Sequence, residues 1–201
     1  MIRPEMTDRA AAAASIGGLA LLERSIAYAL GSLHLVTASA LERPSPCRQW
    51  KLSALLEHLD DGVAALCEAV DGAVLTGPPD APGRPDPDVV SRLRDRARHL
   101  LGAATRAVRH PVVSIGGRPL PAGIVTGVGA LEVAVHGWDV ARSCGRNRPL
   151  PAGLAEELIE LAPILVGPAD RPGRFGLPVA GPPQSGPGDL LLAFLGRDAR
   201  V

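Results

Sequence analysis

The sequence is poor in aromatic residues and carries no net charge, and each shortage excludes a class of function. Aromatic residues make up only 2% of the 201 residues, which leaves little for stacking nucleic-acid bases. Lys+Arg and Asp+Glu both number 21, so no excess charge would attract nucleic acid or an anionic membrane. We therefore expect neither nucleic acid nor a membrane as the partner.

Cysteine is also scarce. The three cysteines, Cys47, Cys67 and Cys144, show no C-x-x-C spacing, so neither a disulfide framework nor a zinc ribbon is predicted. The apolar run from Ala10 to Leu22 has the length of a signal-peptide core, but acidic residues precede it and its pattern continues as an amphipathic helix. No stretch is read as long and apolar enough to span a bilayer. A cytoplasmic protein is predicted.

Helical periodicity dominates the rest of the sequence, and no alternating strand pattern is found. The four long predicted helices run from Thr7 to Leu41, from Trp50 to Asp71, from Asp88 to Val108 and from Ala122 to Ser143. The segment from Thr76 to Pro87 is a loop, because it is rich in Pro and Gly. A shorter helix runs from Leu154 to Leu165, with Pro163 near its end, and "DLLLAFLGRD" forms a last amphipathic helix.

These elements predict an all-α protein in which residues 1–148 form a four-helix bundle and residues 149–201 form a short helical and irregular extension packed on it.

The fourth predicted helix contains a chemical anomaly in the stretch "ALEVAVHGWDVARSCG", from Ala130 to Gly145. At about 100° per residue, Glu132 and Asp139 project into an apolar arc of the helix, with His136 at the edge of that arc. The apolar residues of the arc are Ile124, Val125, Val128, Leu131 and Val135. A carboxylate in such an arc is costly unless it is paired, hydrogen-bonded or bound to a cation.

His58 on the second helix is the expected partner. Glu132 and His136 stand at i and i+4 and share a helix face, so they lack only a third ligand from a neighbouring helix. Two imidazoles and one carboxylate with a vacant fourth position are typical of a catalytic zinc site. Spacing alone leaves the alternative open, because single histidines and E-x-x-x-H pairs are common in helical proteins without a metal.

The whole chain resembles the DinB-like, mycothiol-dependent maleylpyruvate isomerase metal-binding family. The resemblance rests on "PCRQW" followed by "LLEHLDDG", on "LEVAVHGWDVARSCG", and on the terminal "RFGLPVAGPP" and "LLLAFLGRD". It implies an up-down-down-up bundle in which His58, Glu132 and His136 hold a divalent metal. Zinc is the expected metal, and nickel, iron or cobalt suits the same ligands.

The resemblance further implies a metal-dependent mycothiol S-transferase or isomerase, in which a metal-bound thiolate attacks a small electrophile. Asp139 is the predicted catalytic residue, either orienting a ligand imidazole or accepting a proton; the alternative is a buried pair with an arginine. The large further C-terminal domain of the isomerase is not found in these residues, so maleylpyruvate itself is not the predicted substrate. Two other functions stay open: a thiol-independent metalloenzyme that uses the metal as a Lewis acid in a biosynthetic tailoring step, and a non-catalytic metal-binding helical protein. A monomer or homodimer is expected.

Other polar residues receive weaker interpretations. Cys47 near the start of the second helix is either a thiol of lowered pKa or, as the resemblance implies, part of a packed "C-x-x-W" helix entry with Trp50. His34, His99 and His110 are not expected to be ligands. The glycines of "GIVTGVG" follow no strand, so they are expected to allow close helix packing rather than to bind a nucleotide.

Overall fold

The computed structural model describes residues 4–47, 50–71, 88–107, 112–115, 117–181 and 185–199. Its elements, in chain order, are α1 Pro4–Leu33, α2 Leu52–Asp71, α3 Val89–Ala107, β1 Val112–Ile115, β2 Arg118–Pro121, α4 Ala122–Ser143, α5 Ala152–Leu165 and α6 Pro187–Phe194. The predicted loop from Thr76 to Pro87 and the candidate His110 lie outside the described residues. Helices account for most of the described chain, as predicted.

Contacts between α1 and α4 show that these two helices run parallel. Gly18 lies against Thr126, and eleven residues further along both helices Gly137 lies against Ala29. The same reasoning applies to α2 and α3, where Asp60 pairs with Arg92 and, later in both helices, Cys67 Sγ contacts the carbonyl of Arg96.

Contacts between α2 and α4 pair the early part of one helix with the late part of the other. Early in α2, His58 lies beside His136 late in α4, whereas later in α2 Leu66 faces Gly129. The two helices are therefore antiparallel. Together with the two parallel pairs, this gives the predicted up-down-down-up order.

The first helix ends earlier than predicted, at Leu33 rather than Leu41. A guanidinium nitrogen of Arg94, on α3, donates a hydrogen bond to the Leu33 carbonyl at 2.7 Å. This carbonyl is satisfied by a neighbouring helix, so the chain turns there. It then forms a short 3₁₀ turn at Ala38–Ala40.

A two-stranded antiparallel hairpin lies between α3 and α4, although the sequence showed no alternating strand pattern. In its register Val112 pairs with Pro121 and Ile115 pairs with Arg118. Gly117 lies in the turn at φ 75°, a conformation that glycine adopts without steric cost. The β-branched residues before this turn favour an extended strand, and the hairpin leads directly into α4.

The fourth helix is the central helix of the bundle. By length and composition α4 is apolar enough to cross a membrane, contrary to the reading of the sequence alone, but 78% of its most apolar window is buried inside the protein. The predicted apolar arc is only partly covered, since Leu131 and Val135 are each 1% exposed, while Ile124 is 52% and Val128 is 39% exposed. Val125, in the first half of the same arc, is also buried at 8% exposure, so Ile124 and Val128 are the uncovered members of the arc.

The chain after α4 packs onto the bundle through α5 and α6. As predicted, α5 ends at Leu165 and contains Pro163 in its last turn. Leu158 of α5 and Leu191 of α6 are fully buried and belong to the same apolar core as α1 and α4. This packing brings the residues that follow α6 to the second half of α4.

Candidate metal centre

The structure brings His58, Glu132 and His136 together. One ligand atom from each residue lies within 4.8 Å of the others. Glu132 Oε2 is 3.1 Å from His136 Nε2, and the rings of His58 and His136 meet edge-on with centroids 5.2 Å apart. The i, i+4 spacing on α4 and the antiparallel packing of α2 produce this convergence.

The distances fit a small divalent cation. With metal–ligand bonds of about 2.0–2.1 Å, tetrahedral ligand atoms lie roughly 3.3 Å apart. Glu132 and His136 are already close to that separation, and a ligand atom of the exposed His58 lies within 4.8 Å of both. His136 is buried, whereas the Glu132 side chain is 33% exposed. The cluster is thus anchored on its inner side and open on its outer side.

The charges of the outer two residues also suit a metal. Burial alone would raise the pKa of Glu132, but its hydrogen bond to His136 and the charge of that imidazole lower the pKa below its usual value. Partial burial and the neighbouring charge of His136 lower the pKa of His58. At neutral pH Glu132 is therefore an anion and His58 a neutral imidazole, the forms in which both groups bind metals.

Asp139 lies on the opposite edge of the His136 ring. Its Oδ2 is 3.0 Å from His136 Nδ1, and Asp139 is fully buried. An Nδ1–H that donates to this carboxylate fixes the ring orientation and directs Nε2 toward Glu132. Burial alone would lower the pKa of His136, but its hydrogen bonds to Asp139, Cys47 and Glu132 raise it well above the usual value.

Arg197, which the sequence reasoning did not single out, is the cation that pairs with Asp139. Its Nη2 donates to Asp139 Oδ2 at 3.0 Å and its Nε approaches Oδ1 at 3.4 Å. Arg197 is 6% exposed. Burial alone would raise the pKa of Asp139, but the charge of Arg197 and the hydrogen bond to His136 lower it to about 2.

Two sequence signals pointed toward this pair. A carboxylate in the apolar arc of α4 requires a cation, and "LGRD" places an arginine directly after a buried apolar helix. The backbone next to Arg197 is tightly constrained, because Gly196 has φ 81° and a Cβ there would lie 2.7 Å from Gly176 Cα. The close contact between Gly196 and Gly176 could not be predicted from their spacing in the sequence.

Cys47 belongs to the inner side of the cluster. Its thiol donates to Asp139 Oδ2 at 3.2 Å, and Arg197 Nη2 lies 3.1 Å from its sulfur. Within the described residues, Cys47, His136 and Asp139 form a second group with ligand-like spacing. The guanidinium contacts two members of that group, so a metal cation is disfavoured there, and the group containing His58 is the better candidate.

The remaining sequence candidates lie apart from the cluster or pack around it. Trp50 stacks on the outer side of His58 with centroids 4.8 Å apart. His34 is exposed and bonded to the Leu30 carbonyl, and His99 pairs with Asp71 at 2.7 Å.

A Cβ at Gly129 would lie 2.7 Å from Leu66, so glycine permits close packing of α4 on α2, as predicted.

A cavity of about 530 Å³ lies elsewhere, between α2 and α3, and includes Cys67, Arg92 and Arg96 in its lining. None of the three metal-ligand candidates lines it. Arg92 and Arg96 both bond to the buried carboxylate of Asp60, at 2.6 and 3.0 Å. We assign these two arginines to the packing of α2 against α3.

An up-down-down-up bundle with two imidazoles and a carboxylate converging between its second and fourth helices has the architecture of the DinB-like metal-binding bundles. More narrowly, the chain belongs to the mycothiol maleylpyruvate isomerase N-terminal domain family, which it matches over residues 22–141.

Two relatives are similar along most of the chain. They are uncharacterized proteins of Mycobacterium tuberculosis, one from strain CDC 1551 / Oshkosh and one from strain ATCC 25618 / H37Rv. Each is 33% identical over 177 residues, which cover 82% of this chain and 89% of the relative. No solved structure matches the chain. The comparisons thus establish the family and leave the reaction open.

Proposed function

We propose that this protein is a metal-dependent enzyme that activates a thiol for attack on a small electrophile, as an S-transferase or an isomerase. The observation that carries the proposal is the open cluster of His58, Glu132 and His136, whose ligand atoms lie within 4.8 Å of one another. The cluster is buried at His136 and open to solvent at His58 and Glu132. Such a site suits a metal that exchanges ligands, as catalytic zinc does. Zinc is the proposed metal, with nickel, iron and cobalt as the other ions that such ligands accept.

A divalent metal held by these three residues would supply the Lewis acidity that keeps a bound thiol in its nucleophilic thiolate form at neutral pH. The chain's own contribution is orientation. Asp139 holds Nδ1 of His136, and Arg197 holds Asp139. We assign Asp139 a positioning role, because the carboxylate is fully buried behind the imidazole and is out of reach of a substrate on the open side.

Mycothiol is the proposed thiol. The support for it is membership of the mycothiol maleylpyruvate isomerase N-terminal domain family. The curated relatives are uncharacterized, so the electrophile has to be inferred from the site itself.

The test combines metal analysis with thiol binding. Protein purified without chelator is analysed by inductively coupled plasma mass spectrometry, and its thermal unfolding is followed with and without mycothiol. The proposal expects close to one metal ion per chain and a mycothiol-dependent rise in Tm, because a ligand of the folded state stabilises it. His58→Ala should lose both effects, while Glu157→Gln, at an exposed ion pair with Arg24, should keep both.

Each other result selects a different function. Bound metal without any effect of mycothiol would favour a thiol-independent Lewis acid. The absence of both metal and thiol binding would favour a non-catalytic helical protein. Metal retained at full occupancy in His58→Ala would contradict the assignment of the ligands.

A further inference from the structure

An exposed apolar strip leads along the fourth helix to the candidate metal centre. It consists of Ile124 and Val128, which are 52% and 39% exposed. These residues are four apart, and Glu132 occupies the next position in the series. Residues at i and i+4 on a helix lie on the same face. Ile124 and Val128 therefore extend from the metal-ligand carboxylate along one side of α4.

The dimensions of the strip suit a small molecule. At 1.5 Å per residue, Ile124 lies about 12 Å from Glu132 along the helix axis. Two partly exposed aliphatic side chains offer on the order of 150 Å² of apolar surface, whereas each partner in a stable protein–protein interface buries about 800 Å². A second copy of the chain would need much more apolar surface than the strip supplies.

The first half of α4 itself offers no charge to an anionic occupant. No charged residue occurs from Ala122 to Leu131, and the first charged group that follows is the Glu132 carboxylate. Trp50, which is 38% exposed, lies against His58 with the two ring planes tilted by 55°. Both an indole ring and an aliphatic strip therefore adjoin residues of the metal centre, and the first half of α4 offers no cation to a carboxylate or phosphate.

We propose that this apolar strip binds the alkyl or aryl group of a small-molecule substrate whose reacting end lies at the metal centre. This inference rests on the proposed function and specifies its substrate class: an electrophile with an uncharged apolar substituent, rather than a dicarboxylate. Burial of that substituent on Ile124 and Val128 removes apolar surface from water, which is favourable in proportion to the area buried.

The test uses the zinc-loaded protein and two metal-binding probes, acetohydroxamate and octanohydroxamate, with affinity measured by isothermal titration calorimetry. Both probes have the same zinc-binding group, and only the longer one reaches the strip. Each buried methylene contributes roughly fourfold in affinity, so burial of half of the six extra methylenes gives octanohydroxamate an advantage of about sixtyfold. In Ile124→Asn and Val128→Asn the advantage should fall below about tenfold, while the affinity for acetohydroxamate stays unchanged.

Leu190→Asn is the matched control. Leu190 is 46% exposed and lies on α6, which packs against α5. This variant should keep the full preference for the longer probe. Analytical ultracentrifugation of the wild type and Ile124→Asn completes the experiment by reporting the oligomeric state of each.

The outcomes separate the two proposals. If zinc and acetohydroxamate bind but the alkyl chain adds no affinity, the strip is not a substrate site and the metal centre stands. If neither zinc nor acetohydroxamate binds, both proposals fall. If the preference for the longer probe survives in Ile124→Asn and Val128→Asn, the strip is not the site that binds the alkyl chain. If the wild type shows no such preference and is a dimer that Ile124→Asn dissociates, a second copy of the chain covers the strip and the proposal is wrong.

Discussion

Arg197 and Asp139 are separated by 58 residues and form a buried ion pair directly behind His136. The side-chain exposures of the two partners are 6% and 0%. This pair joins the segment after α6 to the helix that carries two of the three metal-ligand candidates. The core packing and the geometry of the centre therefore depend on each other.

Loss of the guanidinium should destabilise the protein strongly. In Arg197→Met the carboxylate of Asp139 stays buried without its cation, and removal of one partner from a buried pair costs about 3–5 kcal/mol. Arg174→Met is the control, since the Arg174 side chain is 81% exposed in its contact with Asp170 and exposed pairs contribute about 0–1 kcal/mol. Urea unfolding measures both. A loss below 1 kcal/mol in Arg197→Met would contradict the structural role of the pair.

The two carboxylates of α4 should respond differently to substitution. Glu132→Ala removes a ligand atom, so bound metal should be lost or greatly reduced. Asp139→Asn should retain metal near the wild-type level and reduce thiol-dependent turnover by about 10- to 100-fold, because loss of the group that orients a ligand imidazole has effects of that size. Bound metal is measured by mass spectrometry after circular dichroism has verified folding. The reverse pattern would make Asp139 the metal-binding carboxylate.

Metal removal should leave the fold largely intact. The apolar core extends over all the main helices, unlike a zinc finger, whose folding depends on its metal. Far-ultraviolet circular dichroism before and after chelation should change little, while thiol-dependent activity disappears and returns when zinc is added. Collapse of the helical signal on chelation would indicate a structural metal.

The chain has a single tyrosine, which makes its alkaline titration directly visible. Tyr28 is 5% exposed, and its hydroxyl donates to the Arg148 carbonyl at 2.5 Å. Burial raises the pKa of Tyr28 from 10.0 to about 12, against the lowering effect of the Arg148 charge. The phenolate absorbance of the folded protein should therefore appear near pH 12, and that of the urea-unfolded protein near pH 10.

The same shift makes stability depend on pH. Because the pKa is higher in the folded state, the stabilisation is complete below pH 10 and is lost as the pH rises toward 12, by about 2–3 kcal/mol. Tyr28→Phe should flatten this loss. Equal alkaline slopes in the wild type and Tyr28→Phe would assign the effect to other groups.

Two glycine substitutions should have opposite effects. A Cβ at Gly137 would lie 3.0 Å from Ala29 Cα, so Gly137→Ala should force α1 and α4 apart and cost about 1–3 kcal/mol. A Cβ at Gly62 meets nothing within 4 Å, so Gly62→Ala in α2 should stabilise the protein by about 0.5–1 kcal/mol. Thermal unfolding of both variants measures the difference, and a stabilised Gly137→Ala would show that the two helices tolerate separation.

Periodicity predicted the four long helices because each buries an apolar face, and it placed the bounds of α4 at Ala122 and Ser143 as the structure has them. Periodicity failed where contacts between distant segments determine the end of a helix or the exposure of a side chain. The end of α1 depends on a hydrogen bond from Arg94, and the exposure of Ile124 depends on which segments cover α4. A helical period contains neither kind of information.

The candidate site was likewise predictable from the sequence only in part. The spacing of Glu132 and His136 is a local property, while the assignment of His58 on another helix needed the support of the family resemblance. Arg197 directly follows Gly196, which packs closely against Gly176. It is far from Asp139 in the sequence. The need for a cation near Asp139 follows from physical chemistry, but its identity required the three-dimensional structure.

The ion pair between Asp139 and Arg197 also has a consequence for a chain that is still being synthesised. The ribosome adds Asp139 to the chain 58 residues before Arg197, so a nascent chain that has emerged only through α4 has the carboxylate without its counter-ion. Closing the bundle at that stage would bury an unpaired charge. The native position of His136 is therefore stable only when Arg197 is in place behind Asp139.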